Sequence, residues 1–211
     1  MGLKYYGIYK QQIPRSEILE YDLLLLGGDF VNYVENIDLF FEYLKEINIP
    51  KLGCFTVLGN HDYIDYDRIV VKLEELGIKV VDNDYFLLND NITIIGVEDV
   101  WRGHPKLPNY PNDRVNILLS HNPDFIKEIS DENEIAFMLS GHYHGGQIKL
   151  FKMTLQRTIT KYVYGYFEKG RTKLYVTSGV GGSYGRGKRG KYIRFNARPE
   201  INKFKLKRES L

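Results

Sequence analysis

The sequence predicts an α/β fold in which two β-sheets pack face to face with helices on the outside. Short apolar runs alternate with helical patterns from about residue 23 to about residue 139, and strand signals dominate from about residue 147 onward. With 43% apolar and 27% charged residues, the 211-residue chain has the composition of a soluble globular protein. This length suits one domain with a sizeable core, so we expect residues 1–211 to form a single domain.

Short apolar runs that end at turn residues predict the strands. In chain order, the predicted strands are residues 23–26, 55–58, 86–88, 93–97, 116–119, 135–139, 162–167 and 173–177. The turn residues 89–91 and 168–171 each join two of these strands into a hairpin. Residues 191–206 are predicted to be extended.

Three segments have the apolar spacing or the start signal of a helix. Residues 35–48 place apolar side chains at helical spacing, and residues 65–76 form an apolar face that ends at Gly77, a natural C-cap. Residues 123–130 open with a proline and predict a short helix. Together with the strands between them, these helices make up the early βα units of the predicted fold.

Charge and targeting signals exclude several function classes. The net charge of +2 is too small to indicate a nucleic-acid or membrane partner, although residues 201–211 form a basic tail. No apolar stretch approaches the roughly 20 residues that a membrane helix needs, and the N-terminus lacks a signal-peptide pattern. Cys54 is the only cysteine, so no intrachain disulfide can form. We therefore expect no nucleic acid, no membrane segment in this chain and, by default, a cytoplasmic location.

Histidines concentrate in loops that directly follow predicted strands. His61, His121, His142 and His144 lie in three such loops, and a fourth loop contributes Asp29. Strand ends are where α/β folds place ligand-binding residues. A lone histidine on a loop is usually only solvated, and a Gly-Asp pair is usually a turn. Their joint occurrence at four strand ends favours a functional site.

The residue types in these loops suit a hydrolytic site with two metal ions. Such a site needs a carboxylate that bridges the ions, together with neutral imidazoles and oxygen ligands on each of them. Asp29 can bridge, and Asn60, His121 and His142 can complete the shell of one ion. His144 lies two residues after His142 and can reach the second ion from the same loop.

Two neighbouring residues in the loop that follows the predicted strand 55–58 are candidate catalytic residues. His61 adjoins a presumed ligand and is better placed to protonate a leaving oxygen than to bind metal. Asp62 can orient His61 through a hydrogen bond. The glycines of these loops let the backbone approach the ions and the substrate closely. The candidate substrate-binding residues are Asn32, Gly145, Gly146 and the loop residue His104.

Four of these sequence blocks resemble the signature blocks of calcineurin-like metallophosphoesterases. The blocks are Gly28-Asp29, Gly59-Asn60-His61-Asp62, His121 and Gly141-His142-Tyr143-His144. The order and spacing match the compact members of the superfamily. The extension Gly145-Gly146-Gln147-Ile148 and the segment that closes at Pro199-Glu200 resemble the YkuE-type phosphohydrolase branch, which has distant kinship to UDP-sugar pyrophosphatases of the lipid A pathway. The resemblance covers about residues 21–200.

The resemblance implies a four-layer α-β-β-α sandwich of two mixed sheets. It implies a dinuclear centre of two divalent metal ions such as Mn, Fe or Zn, and attack on phosphorus by a metal-bound hydroxide. The implied substrate is a small phosphomonoester, a phosphodiester or a nucleotide-type pyrophosphate. By position, Asp29 would bridge the ions, Asn60, His121 and His142 would hold one, His144 would hold the other, and His61 would be the leaving-group acid.

The chain departs from the family pattern at its first block. The family opens with an Asp-x-His block at the end of its first strand, and no such block precedes Asp29 in this sequence. We therefore expect the first strand to be missing. The second metal site keeps only Asp29 and His144 and should bind its ion more weakly, because even the loss of supporting partners costs about 10–100-fold in metal affinity or activity.

This departure leaves three interpretations open. The first is an ordinary phosphoesterase whose true start lies upstream of Met1. The second is one half of a split enzyme whose N-terminal fragment is supplied by another polypeptide. The third is a degenerate homologue, with one metal or none, that acts as a binding protein. A DNA nuclease of the same superfamily fits less well, because such nucleases usually carry a further capping domain for which 211 residues leave no room.

Overall fold

In the computed structural model, the described residues (21–150, 153–154, 160–181 and 194–207) build two main sheets. The smaller sheet consists of β1 (Leu24–Leu26), β2 (Cys54–Thr56) and β3 (Ile78–Val80), which pair in that order and run parallel. Helix α1 (Ile37–Leu44) connects β1 to β2, and helix α2 (Tyr66–Glu75) connects β2 to β3.

The larger sheet is mixed and has six strands. They are β4 (Tyr85–Asn89), β5 (Ile92–Gly96), β6 (Val115–Leu119), β7 (Ile135–Ser140), β10 (Gly165–Lys169) and β11 (Thr172–Val176), and they pair in the order β10-β11-β7-β6-β5-β4. The four central strands run parallel, and the two edge strands β4 and β10 are antiparallel to their neighbours. Two further short strands, β8 (Lys149–Leu150) and β9 (Met153–Thr154), form an antiparallel pair of their own among the described residues.

Side-chain alternation along the strands divides the core into layers. In β6, Ile117 and Leu119 face the smaller sheet and pack in one cluster with Phe55 of β2 and Ile94 of β5. The residue between them, Leu118, belongs to the cluster on the opposite face of the larger sheet. The two sheets therefore pack face to face, as the sequence predicts.

Helical segments cover the two outer faces. Residues Phe41 of α1 and Leu73 of α2 pack against Ile78 on the outer face of the smaller sheet. On the outer face of the larger sheet, Phe125 and Ile126 come from the 3-10 helix Pro123–Glu128, which begins with the proline that predicts a helix there. The α/β class and the order of the layers are thus confirmed, and the outermost segment is 3-10 rather than α-helical.

The predicted elements agree with the structure in type and differ at their ends. Strand β3 is not predicted, because three residues directly after a helix end are too few to show a period. The strand predicted at 162–167 begins later, at Gly165. Of the segment predicted to be extended, residues 194–206 are described and form a single bridge, between Ile148 and Phe195.

Some predictions concern residues outside the described part of the chain. The missing first strand and its Asp-x-His block concern residues before Asp29, of which 1–20 are outside the described residues. Positions 191–193 of the extended segment and 208–211 of the basic tail are outside as well. Within the described ranges, the structure has no helix that is both long enough and apolar enough to span a bilayer.

Candidate metal centre

The centre is assembled where parallel strands of both sheets end. Asp29 follows β1, and Asn60 and His61 follow β2, so all three come from the smaller sheet. His121 follows β6, and His142 follows β7 of the larger sheet. Because parallel strands direct their carboxyl ends to the same edge, loops that are far apart in sequence meet there.

Three of the predicted ligands converge in one cluster. Each of Asp29, His121 and His142 offers one ligand atom, and these atoms lie within 4.8 Å of one another. His121 Nε2 is 3.2 Å from Asp29 Oδ2 and 3.1 Å from His142 Nδ1. Donor atoms bound to one ion at about 2.1 Å stand about 3.0–3.4 Å apart in octahedral or tetrahedral geometry. The two distances from His121 Nε2 fall in this range, and this fits a cation shared by the cluster.

Two further observations support this fit. His121 Nδ1 is 2.6 Å from the carbonyl oxygen of Gly27, which can only accept a hydrogen bond, so Nδ1 carries the proton and Nε2 is directed at the cluster. Such an outer hydrogen bond is the usual partner of a metal-binding imidazole. Asn60 Oδ1 is buried and has no hydrogen-bond partner within the described structure. A buried amide oxygen of this kind is available as an oxygen ligand.

The electrostatics of the cluster favour a cation. Burial by itself lowers the pKa of His121, but the Asp29 carboxylate raises it to about 9. Burial and the positive charge of His121 lower the pKa of His142 to about 3. Burial opposes ionisation of Asp29, yet His121 holds the pKa of that carboxyl below its ordinary value. The cluster thus stabilises a positive charge beside Asp29, and a metal ion would take the place of the His121 proton.

Asp62 fastens the loops together. Its Oδ2 accepts hydrogen bonds from the backbone N–H groups of Asp29, at 2.7 Å, and Gly59, at 2.9 Å. Its Oδ1 accepts those of Phe30, at 2.7 Å, and Val31, at 3.3 Å. Burial and the nearby Asp29 carboxylate raise the pKa of Asp62 to about 7, whereas the N–H donors oppose that shift. The hydrogen bonds described for Asp62 go to backbone, and none goes to the His61 ring.

Glycine at position 59 allows the closest approach of the two loops. A Cβ there would meet the Asp29 carboxylate oxygen Oδ1, the Asp29 backbone nitrogen at 2.6 Å and His121 Cε1 at 2.7 Å. Gly28 has φ +81°, and a Cβ on it would meet the backbone of residues 57–59. Both positions therefore require glycine for the loops to place Asp29 beside His121.

His61 and His144 border the cluster without belonging to it. The backbone N–H of His61 donates to Asp29 Oδ1 at 3.0 Å, and the His61 charge acts on both Asp29 and His142. Burial lowers the pKa of the His144 imidazole to about 4, and the Asp29 charge opposes this. His144 is therefore a neutral, half-buried imidazole whose charge interacts with Asp29 and His121. It lies outside the three-residue group whose ligand atoms are within 4.8 Å.

The predicted substrate-binding residues differ in how deeply they are buried. Gly145 and Gly146 are buried with positive φ, and a Cβ on Gly145 would contact the Ser178 side chain at 2.8 Å. His104 is exposed, and its described hydrogen bonds are made by its backbone, to Glu98 and Asn83. Asn32 is half-buried two residues after the hydrogen-bonded backbone of Phe30.

Three residues that the sequence analysis does not select lie near the centre. Asp99 is fully buried, its Oδ2 has no partner within the described structure, and its charge interacts with His121 and Asp29. Trp101 stands perpendicular to His142, with ring centroids 4.2 Å apart. Asp82 accepts the Leu58 N–H at 3.1 Å, behind the Asn60 loop. Asp99 follows the predicted strand 93–97, so the rule that selects Asp29 would also have found it, whereas Asp82 follows β3, which the sequence does not predict.

Comparisons with known proteins agree with this geometry. Residues 6–146 match the family model described as calcineurin-like phosphoesterase. The phosphodiesterase YaeI of Escherichia coli is 31% identical over 204 residues, which cover 88% of this chain and 70% of that protein. The metallophosphoesterase YkuE of Bacillus subtilis is also 31% identical, with 88% of this chain and 68% of that protein covered.

A relative with a named sugar-nucleotide activity is more distant. The UDP-2,3-diacylglucosamine pyrophosphatase LpxG of Chlamydia muridarum is 28% identical, over 85% of this chain and 72% of its own length. The family match spans more than half of this chain and includes each residue of the Asp29, His121 and His142 cluster. The chain therefore belongs to the calcineurin-like phosphoesterase family and is a metal-dependent phosphoesterase of the YkuE-type branch.

Proposed function

We propose that this chain hydrolyses a small phosphomonoester, phosphodiester or nucleotide-type pyrophosphate at the centre built around Asp29, His121 and His142. The observation that carries the proposal is the convergence of these three ligand atoms within 4.8 Å at the strand ends of two sheets. The relatives named phosphodiesterase and UDP-2,3-diacylglucosamine pyrophosphatase support the substrate class, since both names describe cleavage at phosphorus.

The donor set defines which residues would hold metal. Asp29, His121 and His142 would bind one divalent ion, and the buried Asn60 Oδ1 would complete its protein ligands. Asp29 and His144 would bind a second ion, with fewer protein ligands and lower affinity. A bound divalent ion such as Mn, Fe or Zn would polarise a phosphoryl oxygen and lower the pKa of a coordinated water.

The surrounding residues orient the metal ligands and supply a proton donor for the leaving group. The Gly27 carbonyl accepts the Nδ1–H of His121 and thereby keeps Nε2 directed at the cluster. Asp62 holds the backbone on both sides of Asp29 and Gly59 in place. His61 lies beside Asp29 without being part of the donor cluster, so its imidazole is available to protonate the leaving oxygen.

Elemental analysis and hydrolysis, measured on the same sample, test the proposal. The purified chain is loaded with Mn²⁺, and its metal content is compared with its turnover of 4-nitrophenyl phosphate and bis(4-nitrophenyl) phosphate. We expect at least one tightly held ion, turnover that stops on chelation, and recovery when Mn²⁺ is returned. His142→Ala should lower the metal content, whereas His104→Ala, an equal change on an exposed loop, should not.

Two results would contradict the proposal. One is a metal-loaded chain that turns over neither substrate. The other is turnover that persists after the chelator has removed the metal, because a donor cluster that is not used for hydrolysis would leave the activity unchanged.

A further inference from the structure

The chain's single tryptophan lies exposed at the edge of the metal centre. Trp101 is 54% exposed, and its ring stands perpendicular to that of His142, with centroids 4.2 Å apart and an interplanar angle of 87°. In a perpendicular pair, the edge of one ring meets the face of the other. Whichever ring supplies the edge, at least one face of the indole is left uncovered by His142.

Hydrogen bonds hold Trp101 in this position. Asp99 Oδ1 accepts the backbone N–H groups of Trp101, at 2.8 Å, and Arg102, at 3.0 Å, and the Asp99 carbonyl accepts that of Gly103 at 2.9 Å. Glu98 Oε2 accepts the His104 N–H at 2.6 Å. The turn that carries Trp101 is therefore held by hydrogen bonds, and the conformation of this turn keeps the indole exposed.

An exposed indole that is held in place is unfavourable for the fold alone. Burial of a large aromatic side chain stabilises a protein, so the turn forgoes that contribution by directing Trp101 outward. Asp99, which organises the turn, is itself fully buried and interacts with the charges of His121 and Asp29. The turn is thus built onto the metal centre, and the ring it presents contacts the His142 ring of the donor cluster.

We propose that Trp101 is a stacking surface for a planar ring carried by the substrate, so that the preferred substrates join phosphate to a nucleobase-bearing or aryl group. This inference rests on the proposed function, since it places the substrate's phosphate at the Asp29, His121 and His142 centre. Aromatic side chains stack on any nucleobase or aryl ring because each of these rings has a π-face. The phosphate is then held at the centre while the ring packs on the indole.

Binding measurements test this inference on the metal-loaded chain with His61→Ala, a change expected to keep the metal and to slow hydrolysis of the ligands about 10²–10⁴-fold. Isothermal titration calorimetry gives the affinities for adenosine 5′-monophosphate, phenyl phosphate and methyl phosphate, which share a phosphate and differ in the ring. We expect Trp101→Ala to weaken both ring-bearing ligands about 5- to 150-fold, the range measured for aromatic stacking on a base, and to change methyl phosphate less than about 2-fold. Trp101→Phe should retain most of the affinity for the ring-bearing ligands.

A matched control and the single tryptophan sharpen the test. Tyr166 is also 54% exposed but lies on edge strand β10, so Tyr166→Ala should leave all three affinities unchanged. Because no other tryptophan contributes, intrinsic fluorescence should respond to the ring-bearing ligands and much less to methyl phosphate. A larger loss for the nucleotide than for phenyl phosphate identifies a nucleobase, and the reverse identifies a simple aryl group.

Other outcomes overturn the inference or the proposed function separately. Equal weakening of all three ligands in Trp101→Ala would show that the indole only orients His142, and no weakening would show that it does not contact the ligand. Either result overturns the stacking surface. Hydrolysis without ring preference contradicts this inference alone. Selective binding of ring-bearing phosphates, without any hydrolysis by the metal-loaded chain with His61 intact, contradicts the proposed function alone.

Discussion

At the scale of single residues, two neighbours in the loop after β2 have different surroundings. The backbone N–H of His61 donates to Asp29, and its side chain lies outside the group of converging metal-ligand atoms. Asp62 is fully buried and accepts four backbone hydrogen bonds from two loops. The His61 side chain is therefore available for proton transfer, whereas the Asp62 carboxylate is occupied by hydrogen bonds from the backbone.

We predict that His61→Ala lowers kcat about 10²–10⁴-fold and leaves the metal content unchanged. That range is the usual contribution of a general acid, and the donor cluster does not include this imidazole. The measurement is turnover of bis(4-nitrophenyl) phosphate, together with elemental analysis of the same preparation. Loss of metal in proportion to the loss of activity would instead make His61 a ligand.

Asp62→Asn should act on stability. The amide NH₂ of asparagine cannot accept the backbone donors that one carboxylate oxygen now serves, and each buried donor left without an acceptor costs about 1–3 kcal/mol. We expect the free energy of unfolding in denaturant, measured in the presence of a chelator, to fall by about 2–5 kcal/mol. Unchanged stability with reduced turnover would favour the direct catalytic role in which Asp62 orients His61.

At the scale of elements, the site depends on how closely the loops after β1 and β2 approach each other. The contact is made at Gly59, where a side chain would collide with Asp29 and with the His121 ring. Gly27 lies in the other loop and has open space where its Cβ would be. The two glycines therefore form a matched pair in which only one has a steric role.

We predict that Gly59→Ala lowers the affinity for Mn²⁺ at least about 10-fold, the scale seen when the supports of metal ligands are disturbed. Gly27→Ala should leave the affinity within about 2-fold of the wild-type value, because its carbonyl still accepts the His121 Nδ1–H. Isothermal titration calorimetry with Mn²⁺ measures the affinity of both variants. Equal affinities in the two would show that the loops separate without cost to the donor cluster.

Strands were predictable where the sequence carries a clear apolar pattern. Their ends were less predictable where tertiary packing decides where the strand stops. Residues 23–26, 93–97 and 116–119 coincide within one residue with β1, β5 and β6, because apolar runs in buried parallel strands are continuous. The strand predicted at 55–58 ends at Thr56 in the structure. Val57 and Leu58 are fully buried by tertiary packing without ladder pairing, which the sequence pattern cannot distinguish from a strand.

At the scale of the whole molecule, the half-buried carboxyl of Asp82 links stability to pH. Burial raises the pKa of Asp82 to about 7, although Leu58 N–H and the Tyr66 hydroxyl donate to its oxygens at 3.1 Å each. The folded state therefore holds a proton that the unfolded chain releases at lower pH. This contribution to stability is fully present below the pKa of the unfolded carboxyl, near 4, and is lost as pH rises to about 7.

We predict that Asp82→Asn removes this loss. Measured by urea unfolding in chelator, the wild-type free energy of unfolding should carry a decrease of about 1–3 kcal/mol between pH 4 and pH 7 that the variant lacks. Asparagine can still accept the Leu58 N–H and donate to the Tyr66 hydroxyl, so the variant should fold. Asp90→Asn, an exposed change in the β4–β5 turn, should keep the wild-type pH profile. Parallel profiles for wild type and Asp82→Asn would contradict the assignment.

The sequence by itself determined the class of the fold, the family and the loops that carry Asp29, Asn60, His121 and His142. These follow from local pattern, because strand ends in an α/β fold deliver side chains to one edge and few residue types bind metal. Tertiary structure decided which of these side chains meet. It brings His121 and His142 close to Asp29, while His144 lies outside that group. It also directs the Asp62 carboxylate to backbone N–H groups, from which it accepts hydrogen bonds. It also placed Asp99 and Trp101 at the centre, because convergence depends on strand order and loop packing, which local sequence does not encode.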